Sequence, residues 1–200
     1  MAIIQHHRLI LASGSSIRQH LLKSVGLTFS VEPSGVEEDA IKSAMAGAPL
    51  ADVAQALARA KTLTVSALYP DAYTLGADQI CEFQGAALSK PGSYDRAEAQ
   101  LATLSGSTHT QHCAMTLARG SEVVWEYHEA AQLTLRALTL ADIHAYVMAD
   151  APLQSCGAYK FEALGRHLFA RVEGDHDVVQ GLALVPLLAQ LHQLGAIQLG

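Results

Sequence analysis

The residues best suited to chemistry in this sequence are acids and cations set beside small-residue turns. Asp78 stands inside the apolar run "YTLGADQICEF", where the desolvation of a carboxylate has to be offset by a metal, a cation or several hydrogen-bond donors. Lys90, in "SKPG", lies beyond the turn signalled by "FQGA", so two paired strands would bring its ammonium to the Asp78 carboxylate. Nearer the start, "LILASGSSIR" passes from large apolar residues into Ser13-Gly14-Ser15 and then Arg18. A strand that ends in such a turn and opens a helix presents free backbone N–H groups and the positive end of a helix dipole, which suits an anionic oxygen. Ser13 and Ser15 add hydroxyl donors, and Arg18 adds a forked cation. The "VEED" stretch from Val36 to Asp39 supplies further carboxylates, and hard oxygen ligands together with phosphate suit Mg²⁺. Each feature also has an ordinary reading: Ser15 as a helix cap, Arg18 as a solvated cation, Asp78 and Lys90 as a structural pair.

Strands and helices have to position those groups, and their signals alternate. "RLILA" reads as a strand, and Ser15 to Val25 as a helix with Ile17, Leu21, Leu22 and Val25 on one face and Gly26 as its stop. "LTFSVEPSG" alternates like a strand that ends at Pro33-Ser34-Gly35, so the "VEED" acids would follow a strand. Leu50, Val53, Leu57 and Leu68 space a long Ala-rich helix from Pro49 to about Leu68, with Lys61 in its second half. "YTLGADQICEF" is the next strand, and "FQGA" turns it into a short partner. Ser93 caps a helix through Arg96 to Leu104, and "HCAMTLA" and "EVVWEYHEAAQLTLRAL" form hairpin strands joined at Arg119-Gly120-Ser121. A Thr139-capped helix covers Ala141 to Met148, "HLFARVEG" is a late strand, and Pro186 to Leu194 closes as a helix. This order implies an α/β fold in which long antiparallel strands are added to a βα core.

Composition bounds what such a chain can do. Half of its 200 residues are apolar and 16% are charged, enough for one sizeable core or two lobes sharing a sheet. A net charge of −6 and the absence of any Lys/Arg-rich run argue against nucleic acid, so a polyanionic ligand should be small. No apolar run reaches the roughly 18 to 20 residues that span a bilayer, and "MAIIQHHRLI" lacks a secretory apolar core, so no membrane partner and a cytoplasmic address are expected. The three cysteines, Cys81, Cys113 and Cys156, make neither a disulfide framework nor a CxxC metal site and are expected to be reduced and mostly buried. Neither an HExxH nor a G-x-S-x-G motif occurs, which argues against zinc and serine hydrolases, and His109 in "STH" reads as a structural hydrogen-bonding residue.

Taken in order along the chain, "LILASGSSIRQHLL", "PSGVEED", "ALARAK", "GADQI", "LSKP", "LSGSTH", "CGAYKFEALG" and "EGDHDVVQGL" resemble the Maf family of nucleoside triphosphate pyrophosphatases. The resemblance implies an elongated mixed α/β sheet with flanking helices, similar to inosine-triphosphate pyrophosphatase, with residues 1–200 as a single domain of two lobes around a cleft. It implies hydrolysis between the α- and β-phosphates, giving a nucleoside monophosphate and diphosphate. Carried over by residue, the family's Ser-x-x-Arg falls on Ser15 and Arg18, its acidic residue on Glu38, its helix lysine on Lys61, its catalytic aspartate on Asp78 and its lysine before proline on Lys90. Asp78, Lys90 and Glu38 are the catalytic candidates, with Ser13, Ser15, Arg18 and Lys61 as phosphate binders. Asp78 and Glu38 would hold a divalent ion, Mg²⁺ or Mn²⁺. Cations near the phosphates would stabilise charge on the departing diphosphate, and Asp78 would bind the metal, take a proton from the attacking water, or both.

The resemblance puts base preference on Ile17, Gln79, Lys160 and Glu162. The dTTP/UTP subgroup carries "SPRR", "GADT" and "GAYGIQG", whereas this chain has Ile17, Gln79 and "GAYKFEALG" at those places, which is similar to the 7-methyl-GTP subgroup with its "DQ" and "FKSEG". Guanine presents N1–H and N2–H side by side, and a carboxylate such as Glu162 accepts both. The alternatives are dTTP/UTP hydrolysis and a nucleotide-binding regulator of septum formation with little turnover. The partner expected is a small nucleotide, and the resemblance also allows a homodimer.

Overall fold

The computed structural model describes residues 2–200. In chain order the elements are β1 (Ile3–Gln5), β2 (Leu9–Leu11), α1 (Ser16–Ser24), β3 (Ser30–Val31), α2 (Glu38–Ala44), α3 (Leu50–Ser66), β4 (Tyr73–Phe83) and β5 (Ala86–Leu88). They continue as α4 (Tyr94–Leu104), β6 (Thr108–Arg119), β7 (Glu122–Leu135), α5 (Leu140–Asp150), a 3₁₀ turn (Leu164–Leu168), β8 (Phe169–Glu173), α6 (His176–Val179), α7 (Leu184–Gln193) and β9 (Ile197–Leu199). The fold is mixed α/β, a mixed sheet with flanking helices, as the alternation of signals implied. Among the described residues no helix is long and apolar enough to cross a membrane.

One compact unit takes the chain up to Gln79 together with Cys113–Glu129 and Gly181–Gly200. Its strands lie in the order β3, β2, β4, β6, β7. β2 runs parallel to β3 and to β4, with Leu9, Ile10 and Leu11 opposite Tyr73, Thr74 and Leu75. Parallel neighbours require crossover connections, here containing α1 and α3. A strand covered on both faces reads as a continuous apolar run, and all three residues of β2 are buried. α3 turns Val53, Ala54, Leu57, Ala58, Thr62 and Val65 inward at helical spacing. Val65 joins Ile10, Ala12 and Ala72 in one buried cluster, with Tyr69 packed against it.

A second unit comprises Ile80–His112 and Ala130–Gln180. The end of β4 pairs with β5 in the expected hairpin, with Cys81, Glu82 and Phe83 opposite Leu88, Ala87 and Ala86. Its turn residues, Gln84 and Gly85, have φ of 52° and 79°, the conformation of a two-residue hairpin turn. α5 opens with a capping box between Thr139 and Asp142, and its Ile143, Tyr146 and Val147 are buried, as are Ala97, Leu101 and Leu104 of α4, which it contacts.

Two expectations change. "LTFSVEPSG" forms only the two-residue strand Ser30–Val31, since Pro33 has no N–H to continue a ladder. The acids after it begin a helix: Glu38 and Asp39 occupy the first turn of α2, where the dipole favours negative charge. Nothing on α2 is buried, so it has no apolar stripe for periodicity to reveal.

Candidate active site

The carboxylate that β4 carries into its apolar surroundings has a counter-charge, and α3 supplies it. Lys61 Nζ lies 2.6 Å from Asp78 Oδ1 and 2.6 Å from Glu38 Oε1, so one ammonium bridges two acids from different elements. The side chains of Lys61 and Asp78 are 11% and 9% exposed, and that of Glu38 is 40% exposed. An isolated buried carboxylate is costly, and this pairing offsets the cost. Burial would raise the Glu38 pKa, but the Lys61 and Lys42 ammoniums outweigh it and hold the carboxyl below its ordinary value. Lys42 Nζ lies 3.2 Å from Glu38 Oε2. Sequence reading missed Lys42. Its signal is the four-residue spacing from Glu38, which brings the two together only once α2 is recognised as a helix.

Ser13, Ser15 and Arg18 meet at the start of α1. Ser15 caps the helix, its hydroxyl accepting from the Arg18 N–H at 3.4 Å, while Ser13 Oγ accepts from the Ser15 N–H at 3.3 Å and from Arg18 Nη1 at 3.1 Å. Arg18 is not the solvated cation of the ordinary reading: it is buried, donating from Nη1 to the Ala77 carbonyl at 2.9 Å and from Nε to the Gly181 carbonyl at 3.0 Å. The guanidinium therefore ties the Ser13 turn to the residue preceding Asp78. Gly181, also absent from the sequence reading, has φ of 100°, and a Cβ there would lie 3.2 Å from Arg18 Nε. Its signal was the glycine of "VVQGL", a position that needs left-handed backbone. Ile17 and Gln79 are half-buried in the same unit.

The other expected residues belong to the second unit. Lys90 is exposed, two residues beyond the last β4–β5 pair at Leu88. Lys160 is half-buried and committed to its neighbours, donating from Nζ to the Asp150 carbonyl at 2.5 Å and from its backbone N–H to Tyr146 Oη at 2.9 Å. Glu162 is exposed. The "CGAY" stretch turns through Gly157 and Ala158 with φ of 84° and 57°. It delivers Tyr159 to a buried polar cluster, where Gln111 Nε2 donates to Tyr159 Oη at 2.7 Å and His109 Nε2 lies 2.7 Å from the same oxygen. Burial pushes His109 down to about 4, which keeps it neutral. That is the structural hydrogen-bonding part expected of it.

Among the described residues no group of three or more His, Cys, Asp or Glu is gathered as an all-protein metal cage. By the chemistry of their oxygens, Glu38 and Asp78 are the residues that would hold a hard divalent ion. Both oxygens touch one ammonium at 2.6 Å, so at most twice that distance, 5.2 Å, separates them. Two protein carboxylates are the usual complement of an Mg²⁺ that completes its shell with water and phosphate oxygens.

The family model for "Maf-like protein" matches residues 8–194. A nucleoside triphosphate pyrophosphatase of Legionella pneumophila subsp. pneumophila is 41% identical over 194 residues, 97% of each chain. A nucleoside triphosphate pyrophosphatase of Nitrobacter hamburgensis is 42% identical over 96% of each. A 7-methyl-GTP pyrophosphatase of Rhizobium meliloti is 39% identical over 94% of this chain and 97% of its own.

Proposed function

Since this chain belongs to the Maf-like protein family and is a nucleoside triphosphate pyrophosphatase, a hydrolase of phosphoanhydride bonds, we propose that its substrate is 7-methyl-GTP, cleaved to 7-methyl-GMP and diphosphate. The observation that carries the hydrolytic reading is the Lys61 ammonium held between Glu38 and Asp78. It puts a cation and two hard acids in one place, the complement that a metal–polyphosphate requires.

In this reading Glu38 and Asp78 hold Mg²⁺ or Mn²⁺. When bound, the ion supplies charge neutralisation for the phosphate oxygens. In the free protein Lys61 holds Asp78 at Oδ1; in the reaction an Asp78 carboxylate oxygen accepts the proton of the attacking water. Ser13 and Ser15 orient phosphate oxygens at the mouth of α1, where the helix dipole favours negative charge. Arg18 and Lys61 add positive charge where the departing diphosphate gains negative charge. Lys90 is assigned to the reaction by its "SKP" motif.

The 7-methyl-GTP preference is supported by Ile17, Gln79 and Glu162, each departing from the dTTP/UTP pattern, and by the activity named for the Rhizobium meliloti relative. Glu162 is exposed, available to accept both N–H groups of a guanine edge, which a pyrimidine does not offer. An apolar Ile17 in place of an arginine avoids repelling the positive charge of a 7-methylated purine. The test is diphosphate release from 7-methyl-GTP, GTP, dTTP and UTP with Mg²⁺. The highest kcat/KM is expected for 7-methyl-GTP; a higher value for dTTP or UTP overturns the assignment. No turnover of any of them, with nucleotide still bound, favours the regulatory alternative.

A further inference from the structure

Lys61 makes two equal contacts, 2.6 Å to Glu38 Oε1 and 2.6 Å to Asp78 Oδ1, and its side chain is only 11% exposed. An ammonium placed so does what a bridging cation does: it neutralises part of the charge of a buried acid, Asp78, and a half-exposed one, Glu38, and fixes the distance between them. Lys61 brings one unit of charge to two acids, and Lys42 lies 3.2 Å from the other oxygen of Glu38 and 3.9 Å from Asp39 Oδ1 without touching Asp78. A divalent ion between the same oxygens would balance both.

We propose that Lys61 is a displaceable counter-ion: in the free protein its ammonium holds Glu38 and Asp78 where a divalent cation sits in the working enzyme, and the ion's arrival releases it to the polyphosphate. This rests on the reading of Glu38 and Asp78 as ion ligands. The two cations exclude each other, because oxygens no more than 5.2 Å apart cannot flank both without forcing like charges together. A lysine suits the part, since its compact charge rides on a flexible four-carbon stem and swings away without moving the helix. Two consequences follow from the exchange. Ion affinity is reduced in the free protein, so the ion loads best when phosphate oxygens join the carboxylates. The same event places an additional cation beside the phosphates, coupling assembly of the site to a correctly charged ligand.

Mn²⁺ binding without nucleotide, followed by loss of the aqueous-ion EPR signal, tests this in the unmodified protein, in K61M and in K42M. K61M is expected to bind Mn²⁺ about tenfold more tightly, the factor that about 1.4 kcal/mol of lost competition gives. In chelator its Tm should lie below that of the unmodified protein, and Mn²⁺ should raise it by more. K42M removes an equal charge but no bridge and should tighten binding by less. Should K61M fail to fold, K61R keeps a bridging cation and is expected to bind Mn²⁺ no more tightly than the unmodified protein. Equal or weaker Mn²⁺ binding by K61M, equal tightening by K42M, or tighter binding by K61R overturns the displacement. If turnover of the unmodified protein is still lost in chelator and restored by Mn²⁺, the metal-site reading survives that failure; turnover indifferent to chelator ends both.

Discussion

Gly76 of β4 lies against Thr62 of α3 so closely that a methyl group has no room. A Cβ on Gly76 would sit 2.8 Å from the Ala58 carbonyl oxygen and 2.9 Å from the Thr62 backbone nitrogen. Thr62 cannot turn away freely, because its hydroxyl donates to the Ala58 carbonyl at 2.7 Å. Lys61 adjoins Thr62 and Asp78 lies two residues past Gly76, so this approach of helix to strand sets the reach of the 2.6 Å ion pair. Gly76→Ala is expected to cost about 3 kcal/mol, since besides the hydrogen-bonded Thr62 hydroxyl the colliding atoms are backbone. A chain of this size should then lose roughly 10 °C in Tm. Thermal unfolding followed by circular dichroism checks it, and a Tm within two or so degrees of the parent would show that the two elements separate easily.

Asp78→Asn keeps the volume and removes the charge. Diphosphate release should fall by about 10² to 10⁴ or more, the usual loss for a positioned acid–base group. The circular dichroism spectrum should be unchanged, as Lys61 retains Glu38. Near-parental turnover would remove Asp78 from the reaction.

Gly181→Ala sets a side chain 3.2 Å from Arg18 Nε at a φ of 100°. The strain should cost about 1–3 kcal/mol. Because Arg18 also holds the Ala77 carbonyl at 2.9 Å, kcat should fall together with Tm. Full activity in the variant would show that the anchoring at Gly181 is dispensable.

Lys90 is exposed, so Lys90→Met should leave Tm within a degree or so of the parent, as surface substitutions commonly do. Its kcat should drop at least about tenfold through lost stabilisation of leaving-group charge. An unchanged kcat would assign the residue to the surface alone.

Burial lowers His109 from the ordinary 6.5 to about 4, so between those values the unfolded chain binds a proton that the folded one refuses. Stability should therefore fall as pH drops from about 6.5 towards 4, by about 3 kcal/mol in all from this group. Glu38 acts lower: its depressed pKa contributes stability above the ordinary carboxylate value that is lost as pH falls through the depressed one. Urea unfolding across pH 4 to 7 should show the first slope in the parent and a flatter one in His109→Gln. Parallel slopes would assign the acid sensitivity elsewhere.

Local chemistry made much of the scaffold legible. Ser15, Ser93 and Thr139 cap the helices they were expected to cap, because a hydroxyl at that position satisfies an orphan N–H whatever lies beyond. β4 spans the quoted apolar run, bounded by its own turn residues. α2 escaped notice for lack of an apolar face, and β1 and β9, three residues each, exist only because they pair with one another. Arg18 read equally well as a surface cation, since burial of a guanidinium depends on acceptors at Ala77 and Gly181, far away in the chain.

By itself the sequence determined that Asp78 sits in an apolar strand and must be offset by a metal, a cation or hydrogen-bond donors, since strand propensity and the desolvation of a carboxylate are both local facts. Only the tertiary structure decided that Lys61 meets that need and shares itself with Glu38. The choice depends on how closely α3 seats on β4 and where α2 begins, distances fixed by packing between segments that do not adjoin in the chain.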